Sequence, residues 1–242
     1  MLEWKKKPRN LLILVASCTL QPSHLNKKVI VLMKIIVISS VTGFRSETGV
    51  VNELFHEGLE LFHLRKPDFS SKLHKEYIEL IEPRYRNRIV LHSKHKLALR
   101  FNINRIHITK KYKKRKFRTW LRVKYLRSRI PDLKISSSFH SIESIKLDSS
   151  EYEYIFLSPV FDSISKINYL GKFQGEKMPE ILSSLTQNVV ALGGIDTNTL
   201  DQVYDLNYDG MAIHGALWKS DNPVQKFKEI QLACKQKNMS LA

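Results

Sequence analysis

The sequence predicts an α/β chain folded as a single (β/α)8 TIM barrel, and three observations carry that expectation. From Met33 onward, short β-branched runs alternate with amphipathic stretches, the pattern of βα units around a parallel sheet. Eight such units fit between residues 33 and 242, the size of a compact barrel. The chain is 43% hydrophobic, enough for a closed core, and its two cysteines, Cys18 and Cys234, show no CxxC or CxxH spacing. A disulfide framework and a zinc cluster are thereby excluded. A doubly wound open sheet is the alternative topology.

The expected strands are 34–39 (KIIVIS), 59–64 (LELFHL), 88–92 (RIVLH), 105–108 (RIHI), 133–138 (LKISSS), 153–158 (EYIFLS), 188–192 (NVVAL) and 210–214 (GMAIH). Helical patterns fill 47–57, 70–84, 93–101, 141–148, 176–185, 197–206 and 222–237. In the first, Val50 and Leu54 keep the apolar spacing and Gly58 supplies the stop. Ser70 and Asp221 are the expected N-caps. The segment 109–132 breaks the rhythm with charge in nearly every turn and a stop at Pro131. It reads as one helix with Trp120, Leu121, Tyr125 and Leu126 on an inner face.

The formal charge of +17 invites a nucleic-acid reading, but it is not spread evenly. Residues 110–129 (KKYKKRKFRTWLRVKYLRSR) hold eleven Lys or Arg and no acid, and residues 1–33 carry +5. The rest of the chain, 23 basic and 22 acidic residues, has the near-neutral surface of an ordinary enzyme. The domain division follows: an extension over 1–32 and a barrel over 33–242. Within the extension, KKKPRNLLILVASC resembles a lipoprotein cleavage box, but its apolar stretch is far too short to span a bilayer. A disordered leader or an upstream start codon is the preferred reading. A cytoplasmic location is expected, with anchoring through Cys18 as the second choice.

In a barrel the chemistry sits at the C-terminal ends of the strands, and five of those ends carry reactive or phosphate-binding residues. The second strand ends in His63-Leu64-Arg65-Lys66; alternation puts His63 and Arg65 on one side, and the paired cations suit a phosphate. The fifth runs Ser136-Ser137-Ser138-Phe139-His140, where hydroxyls replace the usual branched filling and His140 can serve as acid or base. A loop after the sixth strand offers Ser163, Ser165 and Lys166 to an anion. Gly193-Gly194 and Gly215 follow the last two strands, where backbone N–H groups can approach a phosphate.

Six segments in this order, HLRKP, NRIHI, SFHS, SPVFDSISK, VVALGGID and DGMAIHGALW, resemble the thiamine phosphate synthase and TenI family. The resemblance covers roughly residues 33–237 and implies a barrel that binds a thiazole phosphate. In the synthase branch, magnesium helps a pyrimidine diphosphate lose pyrophosphate so that the thiazole nitrogen can attack. In the TenI branch, a histidine-assisted proton shift aromatises a thiazole carboxylate phosphate.

Departures from the family pattern matter as much. Where the synthase pattern has an Asn-Asp pair and a Gly-Gln-x-Asp turn, this chain has His92-Ser93 and Thr109-Lys110 with no acid nearby. A hard dication wants carboxylate oxygens and is repelled by a lysine-rich turn, so no cofactor is expected, with magnesium needed only in the synthase alternative. The expected reaction is therefore TenI-like proton transfer, with His140 as acid or base and Arg65 and Lys66 orienting the substrate carboxylate. His92, Ser138, Ser163, Ser165, Lys166, Gly193, Gly194 and Gly215 would hold the substrate and its phosphate. A pyrimidine diphosphate is the second ligand only if the synthase alternative holds, and homo-oligomer formation is left open.

A competing class is a catalytically degenerate barrel whose residues 110–129 bind nucleic acid or an anionic ligand, with Tyr112, Phe117, Trp120 and Tyr125 interleaved among the cations. Nucleic acid is not the expected partner. A solvated helix with aromatics packed on the barrel explains the segment more simply.

Overall fold

Along each strand, side chains face alternately into the barrel and out toward the helices, and that parity decides what fills the interior. The computed structural model describes residues 32–41, 45–162, 170–236 and 240–241. The strands are β1 (Leu32–Ile38), β2 (Leu61–Leu64), β3 (Ile89–Leu91), β4 (Arg105–Ile108), β5 (Lys134–Phe139), β6 (Tyr154–Leu157), β7 (Val189–Leu192) and β8 (Gly210–Ile213). All pair in parallel with their chain neighbours, and β1 pairs with both β8 and β2, in the latter case with Ile36 opposite Leu61. That last pairing closes the barrel and excludes the open-sheet alternative. A two-residue strand, β9 (Ser240–Leu241), adds to the start of β1.

The helices are α1 (Arg45–His56), α2 (Ser71–Glu79), α3 (Leu97–Phe101), α4 (Lys110–Lys113), α5 (Lys116–Arg129), α6 (Ile142–Lys146), α7 (Met178–Ser184), α8 (Leu200–Asp205), α9 (Gly215–Trp218) and α10 (Pro223–Gln236), with a 3₁₀ turn at Pro83–Arg88. The expected helix over 70–84 thus ends early, before Pro83, because proline cannot continue a helix. Ser70 caps α2 as expected, accepting from the Leu73 amide at 3.2 Å. The cap of α10 is Asn222, whose Oδ1 accepts from the Gln225 amide at 3.0 Å, and not the neighbouring Asp221. None of the helices among the described residues is long and apolar enough to cross a membrane.

Two apolar clusters follow from strand parity. One lies between sheet and helices and includes Val37, Phe62, Leu64, Leu91, Ile155 and Leu157. The other fills the barrel itself with Ile36, Ile38, Leu61, Val90, Tyr154, Phe156, Val190 and Ala212. At the N-terminal end the barrel is plugged by charge: Lys34 lies 3.9 Å from Glu60, and Glu153 pairs with Arg105 at 3.4 Å and Lys134 at 3.5 Å. Ion pairs this buried require both partners, so this end reads as structural.

The basic segment departs from expectation. It forms two helices rather than one, α4 and α5. Of the four residues assigned to an inner face, Leu126 alone is buried; Trp120, Leu121 and Tyr125 are about half exposed.

Candidate active site

The C-terminal ends of β2, β3 and β4 place three imidazoles in one buried layer above the apolar filling of the barrel. His63, His92 and His107 share an inward parity with Leu61, Val90 and Arg105 two residues earlier on their strands. His63 Nδ1 lies 2.8 Å from His92 Nε2, and its other ring nitrogen meets the Tyr154 hydroxyl. The His92 and His107 rings stack at 4.1 Å with 15° between their planes. His107 is held by two serines of β5, Nδ1 to Ser136 at 2.9 Å and Nε2 to Ser138 at 3.0 Å. The hydroxyls that look out of place in a barrel strand are therefore the partners of a buried histidine.

Burial is the largest influence on these rings, and it disfavours the charged form. It holds His63 and His92 well below the ordinary imidazole range, with neighbouring imidazoles adding to the effect. His107 is pushed down to about 3 by the same burial, reinforced by His95, Lys113 and Arg65. All three are neutral near pH 7.

One ring nitrogen from each of the three lies within 4.8 Å of the others, which raises the question of a metal. The geometry argues for a hydrogen-bonded network instead. Nearly parallel stacked rings aim their lone pairs in parallel rather than at a common point, and a 2.8 Å N···N approach is shorter than two ligands of a tetrahedral ion allow. The magnesium of the synthase branch fits no better. At the ends of β3 and β4 the donors are imidazole nitrogens and hydroxyls, and Arg65 and Lys113 bring positive charge to His107.

His140 stands exposed at the end of β5. Its Nδ1 is 2.8 Å from the Ser158 carbonyl at the end of β6. A carbonyl can only accept, so Nδ1 carries a proton, and in the neutral ring the lone pair lies on Nε2. Arg65 is exposed on the inward-facing side of β2, as alternation requires.

Lys66 is not where the sequence reading put it. Its ammonium is buried in an ion pair with Glu47 of α1, beside the rings of Phe69 and Tyr77. The reason is parity: Lys66 follows Leu64 outward into the layer between sheet and helices, away from the mouth. Burial raises the Glu47 pKa, and the hydrogen bond and charge of Lys66 oppose that rise. Lys66 therefore ties α1 to the barrel, and its ammonium lies between sheet and helices instead of at the mouth.

Gly193 and Gly194 adopt φ of +101° and +69° after β7. A Cβ on Gly194 would lie 2.4 Å from the Asp162 carbonyl oxygen and 2.6 Å from Phe161 Cβ, so glycine there lets the β6 and β7 loops touch. Gly215 opens α9 directly after β8. Ser163, Ser165 and Lys166 lie outside the described residues.

The family model for thiamine monophosphate synthase matches residues 35–217, the span from β1 to α9. The chain belongs to the thiamine monophosphate synthase family. Within that family, it is 25% identical over 189 residues to thiamine-phosphate synthase 1 of Streptococcus pneumoniae (strain ATCC BAA-255 / R6), covering 75% of this chain and 87% of the relative. It is 27% identical over 169 residues to the thiamine-phosphate synthase of Clostridium tetani (strain Massachusetts / E88), covering 68% and 77%. Among solved structures, the thiamine phosphate pyrophosphorylase of Bacteroides thetaiotaomicron superposes with a TM-score of 0.65 at 26% identity, covering 85% of this chain and 99% of that one.

The histidine network was only partly legible beforehand. His92 and Ser138, both expected at the substrate, are bonded to His63 and His107 respectively. Strand parity could have placed all three imidazoles together, since each sits an even number of residues from an inward aliphatic or charged one. Tyr154, across the barrel on β6, gave no such signal, because a tyrosine in a strand is ordinary core filling.

Proposed function

We propose that this member of the thiamine monophosphate synthase family catalyses proton transfer within a thiazole carboxylate phosphate. A proton leaves a ring carbon and one is delivered to the exocyclic end of the conjugated system, an isomerisation with no change in composition. The observation that carries this reading is the hydrogen bond from His140 Nδ1 to the Ser158 carbonyl, which leaves Nε2 of the neutral ring to act as base at the barrel mouth. Arg65 supplies a guanidinium able to hold the substrate carboxylate, and the turns after β7 and β8 at Gly193, Gly194 and Gly215 offer backbone N–H groups to the phosphate. Ser163, Ser165 and Lys166 are proposed for the same phosphate from their place in the loop.

The neutral floor of histidines supports the same assignment. Charge-separating departure of pyrophosphate is served by a carboxylate-held dication, and the two strand ends that would hold one carry imidazoles and cations instead. A second reading, synthesis of thiamine phosphate from a pyrimidine diphosphate and thiazole phosphate, is favoured by the names of the two relatives. In it, the basic residues beside the mouth would neutralise the departing pyrophosphate.

Both reactions should be assayed on the same preparation. Isomerisation of the thiazole carboxylate phosphate should fall about 10²- to 10⁴-fold in His140→Ala, the usual contribution of a general base. Full isomerase activity in that variant discards the mechanism. Formation of thiamine phosphate that survives a chelator and falls in Arg65→Ala would instead establish the second reading.

A further inference from the structure

The basic helix shows its aromatics to solvent, and that is the opposite of what a helix packed on a barrel needs. On α5, Phe117, Trp120, Leu121 and Tyr125 recur at positions i, i+3, i+4 and i+8, a spacing that puts them on one face. They are 70%, 54%, 45% and 47% exposed, while Leu126 on the opposite face is buried completely. Phe117 and Trp120 stack with centroids 6.1 Å apart, and Lys124 lies over the Trp120 ring at 5.1 Å. The strip is therefore continuous, convex and turned away from the barrel.

Charge surrounds this strip. Residues 110–129 hold eleven Lys or Arg and no acid. The ion pair these cations make among the described residues is Lys113 with Asp148, at 3.3 Å. An apolar ridge flanked by unneutralised cations matches an apolar medium bounded by anions.

We infer that α5 docks this barrel on an anionic bilayer surface, with the aromatic strip at the boundary of headgroups and acyl chains and the flanking cations on the headgroups. A second copy of the chain is disfavoured, because pairing this face with itself would oppose two arrays of cations. Nucleic acid accounts for the cations but offers no apolar medium to a convex ridge that includes a leucine. α4 continues directly from β4 and Tyr112 packs on His95 at the mouth, so docking would bring the mouth close to the bilayer.

The test uses the full chain and sedimentation with vesicles of equal parts phosphatidylcholine and phosphatidylserine, against vesicles of phosphatidylcholine alone. Binding should require phosphatidylserine and weaken with salt. Residues 1–33 also carry +5, so variants of α5 decide the matter. Phe117→Ala/Trp120→Ala, which removes only exposed rings and should leave the thermal midpoint unchanged, should weaken binding at least about tenfold. Lys116→Gln/Arg118→Gln should weaken it by a similar factor. A blue shift of tryptophan fluorescence on binding, read in a Trp4→Phe background, should vanish in Trp120→Phe, since the remaining Trp218 is already tied to the Ile38 carbonyl. Absence of binding, binding indifferent to both double variants, or tight binding of single-stranded RNA with none to vesicles would overturn the proposal.

Discussion

Lys66 and His95 show how burial turns a polar side chain into a question of stability. Lys66 is fully enclosed with Glu47, and without the ammonium the carboxylate keeps neutral donors such as the Ser40 amide, which do not balance its charge. Lys66→Ala should cost about 3–5 kcal/mol in denaturant unfolding, the usual penalty for half of a buried pair. Lys66→Met with Glu47→Gln should recover most of that loss. A Lys66→Ala protein of normal stability with abolished turnover would return Lys66 to the substrate.

His95 is buried against Tyr112, and neither ring nitrogen completes a hydrogen bond. Burial, reinforced by Arg122, pushes it down to about 4 from 6.5, although nearby carbonyls of His107, Leu91 and His92 pull the other way. Its folded pKa is depressed, so the unfolded chain takes up a proton below 6.5 that the native ring refuses until about 4. The neutral ring's full contribution to stability is present above 6.5 and is lost on descending to about 4, at roughly 1.4 kcal/mol per pH unit. Urea midpoints between pH 7 and pH 4.5 should show a shallower decline in His95→Leu than in the parent. Parallel declines would remove His95 from this account.

At the scale of an element, α5 has two faces with opposite energetics. Leu126 anchors it to the barrel, so Leu126→Ala should cost about 2–5 kcal/mol. Trp120→Ala, on the solvent face, should change stability by no more than about 0.5 kcal/mol. Equal losses for both would mean that Trp120 packs inward, as the sequence reading had it. That reading erred because apolar spacing identifies a face without saying what covers it. The strands fared better: 105–108 matches β4, and the other strands fall within two residues at either end. A strand buried on both sides is a short β-branched run whatever its neighbours, and such runs are local in sequence.

Across the whole molecule, α10 seals the barrel wall and buries Cys234, whose thiol is pushed up to about 11 by that burial. Alkylation requires the thiolate and access, so at pH 8 Cys234 should react only through opening of the fold. Peptide mass spectrometry should find it unlabelled in native protein and labelled in urea. Rapid native labelling would mean that α10 detaches locally.

The barrel class, the order of its strands, the family resemblance and the concentration of charge in two segments are all properties of the sequence, because each rests on residues close together in the chain. Strand alternation also foretold that His63 and Arg65 share a side. Only the tertiary structure decided that Lys66 pairs with Glu47, that the β5 serines hold His107, that His63 reaches Tyr154 across the barrel, and that the aromatics of α5 face solvent. Each of these depends on which distant element lies opposite a side chain. A barrel sets that by closing β1 against β2, a pairing of residues remote in sequence that no local pattern encodes.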